Sequence, residues 1–177
     1  MAANRVGKTY SAAFELACHL TGNYPEWWEG LRFDYPINAW ALGATGEQMR
    51  DVIQSNLVGD YDGNEINGKG AIPYDSIDQS SVIRSSQTRG LIKDIRVKHS
   101  TGAYSTLSLK SYSQGQHVLM GQSIDYILID EEPKDQAIYP QCVTRTATGN
   151  RGNGGYVTLT FTPENGRTPL VLSLIHI

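Results

Sequence analysis

Apolar residues recur at helical spacing in two stretches of the chain. Residues 8–21 carry them three and four positions apart and end at Thr21-Gly22, which predicts a helix terminated by the glycine. A second stretch follows Thr45, because Thr45 and Gln48 have the spacing of a capping box that starts a helix. Each stretch forms one apolar face that can pack on a sheet. These faces consist of Ala12, Ala13, Leu16, Ala17 and Leu20 in the first helix and of Met49, Val52, Ile53 and Leu57 in the second.

Three other stretches have the composition of strands buried in a sheet. They are short apolar or β-branched runs at 37–42, 126–129 and 156–162, and continuous runs of this kind are typical of parallel strands covered on both faces. Residues 92–97 and 104–109 instead alternate around a turn, which predicts an antiparallel hairpin. Together these patterns predict an α/β protein with a mostly parallel sheet, flanking helices and one antiparallel hairpin.

Three segments lie between these elements. Residues 59–76 are rich in Gly, Asp and Asn, and this composition predicts a loop. Residues 133–148 suit one or two short helices that carry Arg145. The pattern of residues 77–91 favours neither a helix nor a strand, so it leaves the secondary structure of that segment open.

The composition is that of one ordinary globular domain. The chain has 177 residues, of which 40% are hydrophobic and 19% charged. It contains no apolar run of transmembrane length and no signal peptide, so we expect no association with a membrane. Cys18 and Cys142 lie far apart without metal-ligand spacing, and we expect both to be small core residues. The histidines form no ligand pattern either.

The net charge of −3 excludes a uniformly basic nucleic-acid-binding protein, but the charge is distributed unevenly. Between residues 84 and 110, basic side chains outnumber the single acid, Asp94. We call this set the basic stripe: Arg84, Arg89, Lys93, Arg96, Lys98 and Lys110. A local stripe of this kind can follow a phosphate backbone. It is equally typical of a solvated strand face, and the sequence leaves both interpretations open.

Residues 2–9 have the form of a phosphate-binding loop, G-x-x-x-x-G-K-[ST], with Ala2 in place of the first glycine. Gly7 can adopt the backbone conformation that lets amide groups wrap around a phosphate, and the helix that follows points its N-terminus at the same anion. Lys8 can then reach the β- and γ-phosphates, and the Thr9 hydroxyl can ligate Mg²⁺. A chance match to this short pattern is the alternative. The residues expected to bind the nucleotide are Ala2, Ala3, Asn4, Arg5, Val6, Gly7, Lys8, Thr9 and Tyr10.

The predicted strand at 126–129 ends in a run of acids that begins with Asp130 and Glu131. Ligands bind at the carboxyl ends of the strands in open α/β sheets, so a nucleotide is expected beside these acids. There Asp130 would hold Mg²⁺ through water, and Glu131 would accept a proton from the water that attacks the γ-phosphate, or orient that water. Taken alone, the pair could equally be solvated acids at the end of a strand.

Residues 156–163 provide a third element, a β-branched run that Pro163 stops abruptly. We interpret it as a parallel strand whose end hydroxyl, on Thr160 or Thr162, lies near the γ-phosphate. A phosphate loop, a strand ending in acids and this strand in one short chain predict nucleotide hydrolysis.

The three motifs, in this order, resemble the ATPase domain of the large terminase subunit of tailed bacteriophages. The resemblance covers nearly the whole chain and is carried by Asn-Arg-Val-Gly-Lys-Thr at 4–9, Ile-Leu-Ile-Asp-Glu-Glu-Pro at 127–133 and Thr-Phe-Thr-Pro-Glu-Asn-Gly at 160–166. It implies a P-loop NTPase fold and Mg²⁺-dependent ATP hydrolysis that drives double-stranded DNA into a procapsid. It also implies that Arg5 acts in cis on the γ-phosphate. Thr160, Thr162 and Pro163 match the motif that couples hydrolysis to movement.

The same resemblance implies partners and a location. The partners are double-stranded DNA, a portal protein, a small terminase subunit and further copies of the chain in a homo-oligomeric ring. The location is the host cytoplasm rather than the virion. The family also implies a C-terminal nuclease domain, for which this sequence has no counterpart. We therefore expect residues 1–177 to be a partial N-terminal ATPase domain.

Two departures from the family pattern qualify this interpretation. Ala2 replaces a glycine, and the first strand of the sheet, which should precede Ala2 with an adenine-contacting segment, is missing. We expect that strand inside the sheet, next to the strands ending at Asp130 and Thr162, so that its absence leaves two unpaired edges. Residues 173–177 are expected either to be non-native or to form a short strand of the same sheet.

Other functions remain compatible with the motifs. A helicase-like P-loop ATPase acting on nucleic acid shares the strand that ends in Asp-Glu. A nucleotide-binding switch module that does not hydrolyse its nucleotide is a different class, and Glu131 argues against it because a switch does not need a catalytic acid. The chain could also lack activity by itself if its first strand is missing.

Overall fold

The computed structural model describes residues 7–115, 119–162 and 168–175 and contains a six-stranded sheet. The strands are β1 (Asn38–Gly43), β2 (Ile77–Arg84), β3 (Ile92–Lys98), β4 (Tyr104–Ser111), β5 (Tyr126–Asp130) and β6 (Tyr156–Thr160). The helices are α1 (Lys8–Thr21), α2 (Gly46–Gln48), α3 (Ser55–Leu57), α4 (Ile138–Thr146) and α5 (Pro169–Ile175), and a π-helix at Met49–Gln54 joins α2 to α3.

The sheet is mixed, with the strand order β2-β3-β4-β1-β5-β6. Strands β4, β1, β5 and β6 pair in parallel, whereas β2, β3 and β4 pair antiparallel. The predicted fold class, a mostly parallel sheet with helices and an antiparallel hairpin, is therefore confirmed. The predicted hairpin is β3-β4, and residues 77–84 of the undecided segment extend it by a third antiparallel strand.

Helix α1 forms where the apolar spacing predicted it. Its apolar residues are buried on the sheet, and Leu16 and Leu20 have no exposed surface. The helix ends because Gly22 adopts a left-handed conformation with φ of 68°, from which its amide donates to the carbonyl of Cys18 at 2.8 Å. Replacing Leu16 by alanine would cost about 2–5 kcal/mol of stability, as is usual for a fully buried leucine.

The second helical segment, residues 46–57, begins at the predicted capping box. The Thr45 side chain accepts a hydrogen bond from the Gln48 amide at 3.2 Å, and Gln48 Oε1 accepts one from the Ala44 amide at 3.2 Å. These bonds satisfy amides that the first turn of a helix leaves without partners. The segment thus starts directly after β1 and packs against α1 and the sheet.

Two apolar clusters cover the two faces of the sheet. On one face, α1 and residues 49–58 pack on alternate residues of the central strands, such as Ala39, Leu107 and Leu128. On the other face, α4 packs through Ile138 and Cys142 on the residues in between. These residues include Trp40, Leu42, Ile127 and Ile129. Because both faces of β5 are covered, its uninterrupted apolar sequence is explained.

Buried polar side chains fix the ends of these elements. The Ser105 hydroxyl donates to the Leu20 carbonyl at 2.7 Å and accepts from the Ile37 amide at 3.0 Å, which ties the end of α1 to the sheet. The Asp125 carboxylate accepts from the amides of Asn38 at 2.8 Å and Asn150 at 2.6 Å. Both residues are fully buried, and backbone partners compensate for the loss of water.

Two expectations about strands are wrong. Strands β5 and β6 pair directly, from Tyr126 with Tyr156 to Asp130 with Thr160, so no further strand lies between them. Strand β5 also pairs with β1, so both of its edges are occupied. The sheet therefore has no position for a first strand between β5 and β6. Within the described part of the chain, only β6 has a free edge on this side of the sheet. Residues 173–175 do not form a strand either, because they belong to helix α5 (Pro169–Ile175), and residues 176–177 lie outside the described part of the chain.

Candidate active site

The carboxyl ends of β5 and β6 meet the N-terminus of α1 at one edge of the sheet. Gly7 precedes the helix in a left-handed conformation with φ of 80°, which a glycine adopts without steric cost. Its carbonyl already accepts the first helical hydrogen bond, from the Ser11 amide at 2.8 Å. No side chain of the described residues caps this turn. The positive end of α1 therefore faces the acids of β5.

Asp130 is the residue at which three predicted motifs meet. The residue is 3% exposed, and its single carboxylate oxygen Oδ1 accepts hydrogen bonds from the hydroxyls of Thr9 at 2.9 Å and Thr160 at 2.6 Å. These contacts join the start of α1, the end of β5 and the end of β6. The structure therefore brings together the two residues predicted to bind Mg²⁺, Thr9 and Asp130, and one residue of the predicted coupling motif.

Lys8 makes a second connection between the same elements. Its ammonium group donates to the hydroxyl of Thr162 at 2.9 Å. Thr162 lies two residues beyond the end of β6, in a segment that leaves the sheet at the same edge. The predicted phosphate-binding lysine and the predicted coupling threonine are therefore adjacent.

Glu131 has an unusual backbone conformation. Its φ of 69° is the only positive value among the non-glycine residues that the structure describes. This left-handed conformation costs about 1–2 kcal/mol for a residue with a side chain. The amide of Glu131 donates to the carbonyl of Thr160 at 2.7 Å, which extends the β5–β6 pairing to this residue. The turn leaves the Glu131 carboxylate exposed at the mouth of the site.

Two residues near the acids were missed by the sequence analysis. The Tyr112 hydroxyl lies 3.5 Å from the carbonyl oxygen of Asp130 and 3.4 Å from that of Glu131. Burial, with the neighbouring Glu131 and Asp130 carboxylates, raises the pKa of Tyr112 above the usual tyrosine value. Thr168, at the start of α5, donates a hydrogen bond to Glu132, whose carboxylate continues the acid run. A tyrosine or threonine in a strand-end loop is common, so no sequence signal marked either residue.

The residues present fit a magnesium site of the kind that nucleotides complete. Mg²⁺ usually keeps several waters and takes one or two protein oxygens together with phosphate oxygens. Thr9 and Asp130 supply two such oxygens within hydrogen-bond distance of each other. In the described residues, no group of three or more His, Cys, Asp or Glu side chains could hold a metal without further ligands.

Several predicted site residues lie outside the described residues. These are Ala2, Ala3, Asn4, Arg5 and Val6 of the phosphate loop and Pro163 of the coupling motif. Their predicted roles stay predictions. Tyr10, which is described, lies on the first turn of α1 with 60% of its surface exposed.

The basic stripe is largely engaged within the sheet. Arg96 forms an ion pair with Asp78 at 2.7 Å, and Lys93 lies 4.0 Å from Asp94. Arg84 donates to the carbonyl of Gly63. These contacts across β2, β3 and the preceding loop favour the interpretation of the stripe as a solvated strand face, because ion pairs at exposed positions already neutralise part of its charge.

Fold and site together define a class. The chain is an α/β protein whose paired acids, at the carboxyl edge of a parallel sheet, face the N-terminus of a helix that begins with Gly-Lys-Thr. This is the edge at which open α/β sheets bind their ligands. None of the described helices has the length and apolar character needed to cross a membrane.

Comparison with known proteins identifies the family. The family model described as terminase large subunit, T4likevirus-type, N-terminal, matches residues 1–172. The chain is also 34% identical over 192 aligned positions to the terminase large subunit of Salmonella phage P22. That alignment covers 99% of this chain and 37% of the P22 protein, so the chain spans little more than a third of that relative. The chain therefore belongs to the terminase large-subunit family.

A solved structure is also similar. The large terminase ATPase domain of Thermus phage P74-26 matches with a TM-score of 0.49 and 17% sequence identity. The match covers 91% of this chain and 57% of that one.

Proposed function

We propose that the chain is the ATPase part of a terminase large subunit, which hydrolyses ATP with Mg²⁺ to drive double-stranded DNA into a procapsid. Membership of the family supports the role in DNA packaging. The observation that best supports ATP hydrolysis is the arrangement of the two acids. Asp130 accepts hydrogen bonds from the hydroxyls of Thr9 and Thr160, and the exposed Glu131 follows it at the end of the same strand. In this proposal, residues 1–177 form the N-terminal portion of a longer subunit whose nuclease domain lies elsewhere.

The residues of the site divide the work as follows. Lys8 and the amides at the start of α1 hold the phosphates, because an ammonium group and a helix N-terminus both attract anions. Asp130 and Thr9 hold Mg²⁺, which supplies neutralisation of the phosphate charge. Glu131 accepts a proton from the attacking water or orients it. Arg5 stabilises charge on the γ-phosphate oxygens.

Movement of the segment after β6 would couple hydrolysis to translocation. Thr160 contacts Asp130, and Thr162 contacts Lys8. Loss of the γ-phosphate would alter what Asp130 and Lys8 bind, and each of them contacts one of the two threonine hydroxyls. Pro163 follows them in the chain. We propose that a movement of this segment is transmitted to the bound DNA. The proposed partners are a portal protein, a small terminase subunit and further copies of the chain in a homo-oligomeric ring, and the proposed location is the host cytoplasm.

Three variants of the full-length subunit test the proposal. Glu131→Gln should bind ATP normally and lose turnover, whereas Lys8→Ala should weaken ATP binding because a charge-assisted contact is lost. Arg5→Ala should lower turnover at least about tenfold with a much smaller change in affinity. Nucleotide affinity and single-turnover hydrolysis, measured on the same preparations, separate binding from chemistry.

The outcomes distinguish the candidate functions. A wild-type subunit that binds ATP but never hydrolyses it would be a nucleotide-dependent switch. Normal hydrolysis by Glu131→Gln would remove Glu131 from the catalytic role. Hydrolysis stimulated by single-stranded nucleic acid and not by duplex DNA would favour the helicase-like alternative.

A further inference from the structure

The backbone at Glu131 needs an external restraint. A glutamate does not hold a left-handed conformation by its own preference, and such outliers persist only where surrounding structure fixes them. One restraint is the hydrogen bond from the Glu131 amide to the Thr160 carbonyl at 2.7 Å. That bond fixes the residue from the β6 side only. The two carbonyl groups on the other side of the turn, those of Asp130 and Glu131, point towards a different element.

That element is the short turn directly after β4, which begins with Tyr112. The ring of Tyr112 packs against the apolar cluster under α4, and its hydroxyl reaches the carbonyl oxygens of Asp130 and Glu131. Strand β1 lies between β4 and β5, so the tyrosine side chain and the contact of its hydroxyl together bridge about 10 Å, twice the usual spacing between strands. A side chain shorter than tyrosine could not bring a hydroxyl to this position.

The backbone that carries Tyr112 is itself fixed. Ser111 donates through its hydroxyl to the carbonyl of Ala44 at 3.0 Å, and the Ser113 amide donates to the same carbonyl at 3.2 Å. Both residues next to Tyr112 are therefore tied to the end of β1. The hydroxyl of Tyr112 is the donor to both carbonyl oxygens, at 3.5 Å to that of Asp130 and 3.4 Å to that of Glu131.

We propose that Tyr112 is a positioning residue for Glu131, and the proposal rests on the function given above. Its hydroxyl shares one proton between the two carbonyl oxygens and holds the turn that directs the Glu131 carboxylate towards the attacking water. In this proposal Tyr112 acts on the backbone at Glu131 and not on the nucleotide or the water itself. Tyr112 affects hydrolysis only by orienting Glu131. Small displacements of a catalytic group have large effects on rate, so this orientation matters.

The test is Tyr112→Phe in the full-length subunit, because phenylalanine keeps the packed ring and removes the hydroxyl. We expect kcat for ATP to fall about tenfold while KM and ATP affinity stay within about twofold of wild type. Tyr139→Phe is the matched control. Tyr139 is another partly buried tyrosine that packs on the same cluster, and its loss of a hydroxyl should leave kcat unchanged.

A double-variant cycle shows whether the effect passes through Glu131. In a Glu131→Gln background, Tyr112→Phe should lower the residual rate no further, because the residue that it positions is already disabled. Wild-type kcat in Tyr112→Phe, or an equal fall in the Glu131→Gln background, would overturn the positioning role while leaving the proposed hydrolysis intact. Absence of hydrolysis by the wild-type subunit would overturn the proposed function and this inference with it.

Discussion

At the scale of single residues, the site depends on how Asp130 is held. A carboxylate that is almost fully buried is costly unless hydrogen bonds replace its water, and Thr9 and Thr160 supply two such bonds to one oxygen. The two threonines come from different elements, so the orientation of the carboxylate depends on both. Removing either hydroxyl should therefore disturb the proposed metal site while leaving the side chain of Lys8, and the phosphate binding proposed for it, in place.

Thr160→Val tests this dependence. The valine keeps the shape of the side chain and loses the hydroxyl that orients Asp130, so half-maximal ATPase activity should require about tenfold more Mg²⁺. A Mg²⁺ titration of steady-state hydrolysis measures the change. Thr158→Val is the control, because the Thr158 hydroxyl lies in the middle of β6 and contacts the Tyr126 hydroxyl at 2.8 Å instead of Asp130. An unchanged Mg²⁺ requirement in Thr160→Val would show that Asp130 is oriented without Thr160.

Motif chemistry predicted part of this site and missed the rest for a physical reason. The meeting of Lys8, Thr9 and Asp130 at one edge of the sheet was predictable, because their motifs have recognisable spacings, and their roles towards phosphate and Mg²⁺ stay predictions. Tyr112 was not predictable, because its contact with the acids arises only when the sheet order places the end of β4 within reach of β5. Asp125, which lies at the opposite end of β5 and outside the site, was missed for the same reason, since its partners are backbone amides far away in the chain.

At the scale of elements, α1 is attached to the sheet by a polar network as well as by apolar packing. Glu15 accepts a hydrogen bond from the Tyr126 hydroxyl at 3.0 Å, and His19 lies 3.6 Å from the same carboxylate. His19 is buried among the rings of Tyr24, Trp28, Phe33 and Tyr126. His19 and Tyr126 lower the pKa of Glu15, although burial acts in the opposite direction.

This network makes the stability of the fold depend on pH. Because the pKa of Glu15 is lower in the folded state, folding favours the carboxylate, and this stabilisation is complete above the ordinary value of 4.5. It is lost as the pH falls through the folded value. Glu15→Gln should therefore lower the melting temperature at pH 7, and its difference from wild type should shrink as the pH falls below 4.5.

Thermal melts at several pH values measure this effect. Glu29→Gln is the control, because Glu29 is an exposed glutamate in the loop after α1. It should leave the melting temperature nearly unchanged at every pH. A difference between Glu15→Gln and wild type that persisted undiminished at pH 3 would mean that the carboxylate charge does not stabilise α1.

Elements were predictable where one pattern dominated. Helix α1 and strand β5 have uninterrupted helical or apolar patterns and formed as expected. The pattern of β2 does not predict a strand, because Asp78, Ser80 and Ser81 interrupt its apolar residues. It forms a strand because it pairs with β3 at the outer edge of the β3-β4 hairpin. Residues 169–175 became a helix because Thr168 caps it, accepting from the Val171 amide at 3.2 Å, and short apolar runs suit either structure.

At the scale of the whole molecule, the two outer strands of the sheet are protected differently. Beside β2, the side chain of Gln79 pairs with both the amide and the carbonyl of Ile66, at 3.1 Å each, so the preceding loop covers part of that edge. Strand β6 has no such cover among the described residues, and its side chains are half-buried or exposed. Unprotected strand edges pair with other chains, so β6 is the edge at which association is expected.

We therefore predict that the 177-residue chain self-associates through the edge of β6. Tyr156→Lys should reduce the association, because a charge on an outer strand disfavours pairing with another edge. Ile83→Lys is the matched control on β2, since Tyr156 is 47% exposed and Ile83 is 53% exposed.

Sedimentation velocity over a range of concentrations would compare the wild-type chain with the two lysine variants. If both lysine variants reduced association equally, general apolar surface rather than the β6 edge would be responsible, and a monomeric wild-type chain at all concentrations would contradict the prediction outright.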